Sequence, residues 1–150
     1  MIPTKLLHPV GLFEDVSEGQ LSKIAEISEV AKRSRGELIF SEGDRAEHLY
    51  ILVEGKVVIR VQLTSRPESV TVAALNQTHQ SFGWSGIVEP YHYTASALCE
   101  EDCYLIAIPG KKLIEILRSE PASGFEVMRH ISEVISSRLR SSRAVLLKTL

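Results

Sequence analysis

Apolar residues change their spacing twice along the chain, which divides it into three stretches. The first is helical. Ser17 and Gln20 have capping-box spacing, and Leu21, Ile24, Ala25 and Ile27 follow at helical period behind an apolar anchor, Leu12-Phe13. This predicts a helix packed across one end of a sheet structure. From Gly36 the period becomes two. Leu49, Ile51 and Val53 share one face, and Val57, Ile59, Val61 and Leu63 share another, with Glu54-Gly55 between them as a tight-hairpin signal. Val70 to Leu75, Ala95 to Cys99 and Cys103 to Ile108 predict three further strands, and Pro67 keeps the turn around it out of any central strand. Helical period returns after Pro109-Gly110. Lys111 to Leu117 predicts a short helix, and Pro121, suited to a first turn, starts a long one. Its stripe is Phe125, Met128, Ile131, Ile135, Leu139 and Leu146, widened by Val127, Val134 and Val145. Short strands at regular spacing with Gly and Pro turns argue for a mainly β chain with flanking helices, folded as a double-sheet roll.

Candidate chemistry concentrates in Ser81 to Ala97, SFGWSGIVEPYHYTASA. At Gly83 the missing Cβ lets the backbone turn sharply or lie close against a ligand. Gly86-Ile87-Val88 allows about one helical turn before Pro90 ends it. Thr94-Ala95-Ser96-Ala97 then alternates hydroxyl and small apolar residues, as a strand does with one face towards a polar guest. Free N–H groups around Gly86 and Ile87, opposite the hydroxyls of Thr94 and Ser96, would cradle an anion. The same residues also suit an ordinary loop between strands.

The stretch resembles the phosphate-binding cassette of the cyclic nucleotide-binding domains, the family of the catabolite activator (CRP/FNR) regulators, protein kinase A regulatory subunits and cyclic nucleotide-gated channels. That cassette reads Phe-Gly-Glu, a short helix, Arg, two small residues, Thr or Ser, and a small apolar residue. Phe82-Gly83 match its start, and Thr94, Ala95, Ser96 and Ala97 match its end. Gly36, Ile39-Phe40, Gly43-Asp44, Leu49-Tyr50, Leu52, Gly55 and Val57 fall at the family's positions in the first half of the roll. Three places depart. Trp84 stands where the family has the ribose-binding Glu, Tyr93 (after His92) where it has the phosphate-binding Arg, and His79-Gln80 where it has Gly-Asp.

The resemblance runs from about Leu7 to Leu139 and implies one domain over residues 1–150. Its parts are an N-terminal helical segment (1–35), a double-stranded β-helix or jelly-roll (36–109) carrying the cassette (81–97), and C-terminal helices (110–150). It implies a small-molecule effector met by Phe82, Gly83, Trp84, Gly86, Ile87, His92, Tyr93, Thr94, Ala95 and Ser96. Indole donates only, so Trp84 cannot accept from a ribose hydroxyl, though it can stack on an aromatic guest or fill the pocket itself. Neither Tyr nor a mostly neutral His replaces a guanidinium fork. His92 and Tyr93 either donate to an anion or stand apart, Tyr93 packed inward and His92 in solvent. The expected ligand is a cyclic nucleotide lacking its usual anchors, or another small anionic or aromatic molecule.

Composition narrows the remaining options. The chain is 44% hydrophobic with a net charge of −2, which leaves no whole-chain electrostatic footprint for nucleic acid. Cys99 and Cys103 lack the second pair that a zinc site needs. His8, His48, His79, His92 and His130 are scattered without a His-x-His, which disfavours a cupin-like metal enzyme. No catalytic residue, metal ligand or resident cofactor is expected. Neither a signal peptide nor a membrane span is visible, so cytoplasm is the expected setting. Residues for a helix-turn-helix after the last helix are lacking, so direct DNA contact is not expected. Seven-residue spacing of Phe125, Ser132, Leu139 and Leu146, and of Met128, Ile135 and Ser142, predicts a helix–helix seam for a homodimer. The reading is a non-enzymatic ligand-sensing module. Its rival is an interaction scaffold whose pocket Trp84 and Tyr93 fill.

Overall fold

The computed structural model describes residues 1–149. Its strands make two four-stranded antiparallel sheets. One sheet runs β1 (Glu29–Arg33), β8 (Cys103–Pro109), β3 (His48–Glu54), β6 (Ser81–Phe82). The other runs β2 (Leu38–Phe40), β7 (Ser96–Cys99), β4 (Val57–Gln62), β5 (Ser69–Leu75). Successive side chains of a strand alternate faces, and the central strands of the first sheet, β8 and β3, are buried on both. Leu49, Ile51, Ile106 and Ile108 pack outward against the helices. Tyr50, Leu52 and Leu105 pack inward, against Phe40, Val57, Leu75 and Ala97 of the second sheet. Burying each such Leu or Ile stabilises the fold by about 1.5–3 kcal/mol, which makes this sheet the fixed frame of the molecule.

The expected hairpin at Glu54-Gly55 is not one. β3 and β4 lie in different sheets, so this turn carries the chain across the roll. Alternation looks the same whether a strand pairs with its sequence neighbour or elsewhere, and a tight turn fits both. Gly55 has φ +108°, and a Cβ there would meet the Asp102 carbonyl at 2.5 Å. The expected boundary of the roll at Gly36 also moves, because β1 begins at Glu29 inside the segment assigned to helix. This strand is an edge, largely exposed and charged, so it carries no alternating apolar signal.

Helix α1 (Glu18–Ile27) starts as expected, with the Ser17 hydroxyl accepting from the Gln20 N–H at 3.2 Å. The Gln20 side chain does not reach back. Its amide instead donates to the Ile116 carbonyl, 2.6 Å away, and so ties α1 to α2 (Gly110–Ser119). The first half of α3 (Pro121–Thr149) buries Val127 and Ile131 in the helical cluster. Its second half leaves that cluster and crosses the second sheet. There the Ser141 hydroxyl donates to the Val72 carbonyl of β5 and Arg138 Nη2 to the Ser81 carbonyl of β6, each at 2.8 Å. No helix among the described residues is long and apolar enough to cross a membrane.

Candidate functional site

Where α3 crosses the roll it covers a cavity of about 230 Å³. Phe40, Ile59, Val61 and Val72 line it from the second sheet, the stretch from Phe82 to Ser85 and Tyr93 to Ala95 line it from the cassette, and Ile135, Arg138, Leu139 and Ser142 close it from α3. The lining is mostly apolar, and Arg138 is its one charged side chain among the described residues.

The cassette is held by tight packing. Gly83 adopts φ +77°, ψ +33° at the head of a 3-10 turn, Trp84–Gly86, and a Cβ there would sit 3.2–3.4 Å from Tyr50, Phe40 and the His48 carbonyl. That left-handed backbone and lack of room both select glycine. Gly86 lies against Gly110 so closely that a Cβ on Gly110 would overlap the Gly86 carbonyl, and one on Gly86 would meet the backbone of His48. The turn is therefore wedged between β3 and the start of α2.

Six of the ten expected ligand residues line the cavity: Phe82, Gly83, Trp84, Tyr93, Thr94 and Ala95. Four do not. The N–H groups of Gly86 and Ile87 are spent inside the 3-10 turn, on the carbonyls of Gly83 and Trp84 at 3.1 and 2.9 Å, and Ile87 is buried in the helical cluster. The expected cradle of free N–H groups is thus closed by the turn itself. The Ser96 hydroxyl accepts from the Glu42 N–H at 2.9 Å, which fixes the end of the cassette to the turn after β2. His92 is exposed, with Nδ1 2.9 Å from the Pro90 carbonyl.

Tyr93 packs inward. It stacks on Phe40, with ring centroids 3.7 Å apart and planes 8° from parallel, and its hydroxyl donates to the His48 carbonyl at 2.8 Å. Burial, and then the neighbouring Tyr50, pushes the Tyr93 phenol well above its usual value, so it stays a neutral donor. Residue 93 therefore presents an aromatic wall and no cation to the cavity. Trp84 also forms a wall, half-buried, with the Arg138 guanidinium carbon 5.9 Å from its ring centroid.

Of the seven residues expected in the dimer seam, Ile135, Leu139 and Ser142 line the cavity, whereas Phe125, Met128, Ser132 and Leu146 are exposed. Reading the sequence missed Arg138, which lies outside the apolar stripe and the expected seam of the last helix. Its position three after Ile135 and four before Ser142 sets all three on one helix face, and that was the available signal. Burial lowers the Arg138 pKa to about 10, and no carboxylate pairs with it among the described residues. A second, polar groove on the far side of Arg138 holds His79, Gln80, Glu14, Glu133 and His130. Here the His130 ring lies 3.0 Å from Asp15 and 3.3 Å from Glu14.

Residues 31–120 match the family model described as cyclic nucleotide-binding domain. Among solved structures, a protein from Geobacter metallireducens GS-15 assigned to the cyclic nucleotide-binding proteins is 30% identical, with a TM-score of 0.81 over 93% of this chain and 99% of the other. The sensor domain of the transcriptional regulator DNR from Pseudomonas aeruginosa has the same fold at 20% identity, with a TM-score of 0.76 over 91% of each chain. The CRP-like cAMP-activated global transcriptional regulator of Mycobacterium tuberculosis is 26% identical over 137 residues, 91% of this chain and 58% of that protein. A cAMP-dependent protein kinase regulatory subunit of Mycosarcoma maydis is 39% identical over 56 residues, 37% of this chain and 11% of its own length. The chain thus spans less than two thirds of the curated relatives it matches. A roll with this cassette and this closing helix, matched over most of its strands by the family model, belongs to the cyclic nucleotide-binding domain family.

Proposed function

We propose that this domain is a non-catalytic ligand sensor whose guest sits in the roll beneath α3, without the family's usual anchors on ribose and phosphate. One observation carries the reading. Although aromatic residues stand at both anchor positions, a cavity of about 230 Å³ remains between the cassette and α3. A self-filled scaffold would have Trp84 and Tyr93 packed into that space. Instead both form its walls. The non-catalytic part rests on the lining, which among the described residues offers no carboxylate, imidazole or thiol to activate its hydroxyls or to form a metal set.

The signal would leave through α3. A guest touching Ile135, Arg138, Leu139 and Ser142 would shift the helix relative to β5, or hold it where it lies. Phe125, Leu139 and Leu146 are exposed on α3 at 66%, 66% and 37%, an apolar row that supports a second copy of the chain as its partner, with the cytoplasm as the expected setting. Leu139 belongs to both the cavity wall and that row, so occupancy and association would be coupled through it.

Trp84 is the only tryptophan, so its fluorescence reports occupancy of the cavity directly. A panel of cyclic nucleotides and small aromatic acids should contain a member that changes the emission, and Thr94→Val should weaken that member. Emission unmoved by the whole panel would favour the ligand-free scaffold.

A further inference from the structure

Arg138 is the least explained group in the molecule. It stands in the wall of an apolar cavity, half-buried, on the helix that closes it. One of its five N–H donors goes to the Ser81 carbonyl, and the guanidinium lies over Trp84. Nε and Nη1 make no hydrogen bond to any described residue, and no carboxylate pairs with it, although Glu14 and Glu133 line the groove behind it. A desolvated guanidinium without a counter-charge is costly to maintain, and a bound anion would remove that cost. The Ser81 carbonyl and the indole hold its plane in place, which preserves the fork that a planar anion needs.

We propose that Arg138 is the anion anchor of the cavity and that the guest is a small organic carboxylate with an aromatic or aliphatic body. This rests on the reading of the cavity as a ligand site and names the class of ligand. The choice of body follows from the lining. Beyond Arg138, polar side-chain groups there are few: the indole N–H of Trp84 and the hydroxyls of Ser85, Thr94, Ser142 and Tyr93, the last already donating to the His48 carbonyl. A ribose and a purine edge would bury more donors and acceptors than these can meet, whereas a single carboxylate on an apolar body leaves nothing unsatisfied. Anchoring the anion on α3 also changes the logic of the switch. The charge contact is made by the moving helix, so ligand binding bears directly on whether α3 stays closed.

Titration calorimetry with 4-phenylbutyrate and its neutral isostere 4-phenylbutanamide tests this on the unmodified protein, R138Q and R138K. The acid should bind the unmodified protein at least tenfold more tightly than the amide. R138Q should bring the acid down to the level of the amide and leave the amide unchanged, and R138K should keep part of the preference. Equal binding of acid and amide to the unmodified protein, or a preference that survives R138Q, overturns the anchor while leaving the cavity as a ligand site. Should R138Q displace the helix and lose both probes, R138K decides, because a lost preference there overturns the proposal and a retained one upholds it. Binding of neither probe overturns the ligand class. If Trp84 emission then also stays unmoved by the wider panel, the reading of the cavity as a ligand site fails with it.

Discussion

Replacing Ser141 with Ala removes one of the two side-chain hydrogen bonds that, among the described residues, hold the second half of α3 on the roll. The Ser141 hydroxyl donates to the Val72 carbonyl at 2.8 Å, partly buried, and β5 is an edge strand of its sheet. Losing such a bond and leaving the carbonyl short of a partner costs about 0.5–1.5 kcal/mol. If α3 opens separately from the roll, the whole cost falls on that local opening. A loss of about 1 kcal/mol raises the open population about fivefold. Native-state hydrogen exchange reads this directly: amides of residues 135–145 should exchange about fivefold faster, whereas those of β3 and β8 should keep their rates. Ser132→Ala is the control, since that hydroxyl is exposed and bonds only back to Met128 within the helix. Equal acceleration across the β3–β8 frame would mean that α3 and the roll open as one unit. No acceleration anywhere would mean that the bond carries no load. The first of these results removes α3 from the role of a lid.

Three further outcomes follow from the same geometry. Without a cation at residue 93 and an acceptor at residue 84, cyclic AMP and cyclic GMP lose about 2–5 kcal/mol at the phosphate and about 0.5–1.5 kcal/mol at the ribose. That is on the order of a hundredfold to a hundred-thousandfold weaker than a fully equipped site, and sub-micromolar binding by calorimetry would refute it. Phe125→Lys should release monomers without unfolding the roll, because Phe125 is 66% exposed and does not line the cavity; light scattering that finds the unmodified protein monomeric at roughly tens of micromolar sinks the seam. The hydrogen bond to Asp15 raises the His130 pKa, with Glu133 and Glu14 adding to it and burial and Arg129 opposing. Its stabilising effect is therefore complete below the unfolded value of about 6.5 and is lost as pH rises through the higher folded value. The gap in melting temperature between the protein and His130→Gln should narrow from pH 5.5 towards pH 9 (roughly, across that window), and a constant gap would contradict this.

Much of the roll was legible because its signals are local. The Ser17 cap, the alternation in β3 and β4, and the Phe82-Gly83 turn each depend on residues within a few positions of one another. Sheet membership was not legible at Glu54-Gly55, since which partner a strand takes is decided across the molecule. β1 escaped notice because an exposed edge strand of sequence Glu-Val-Ala-Lys-Arg has no apolar face to display. The cavity escaped for a related reason. Its walls come from β2, β4, β5, the cassette and α3, and no run of sequence contains them together. Resemblance directed attention to the cassette residues, where His92, Ser96, Gly86 and Ile87 turned out to serve the loop itself. The group with the most chemistry, Arg138, lay outside the apolar stripe by which its helix was read.

Native mass spectrometry of the freshly purified protein tests the central claim most directly. If the cavity beneath α3 is a working site, the spectrum should contain the folded chain with a small molecule attached, and Arg138→Gln should lose that added mass under the same conditions. A spectrum holding only the bare chain, both as purified and after incubation with cyclic nucleotides and aromatic carboxylates, would contradict the account.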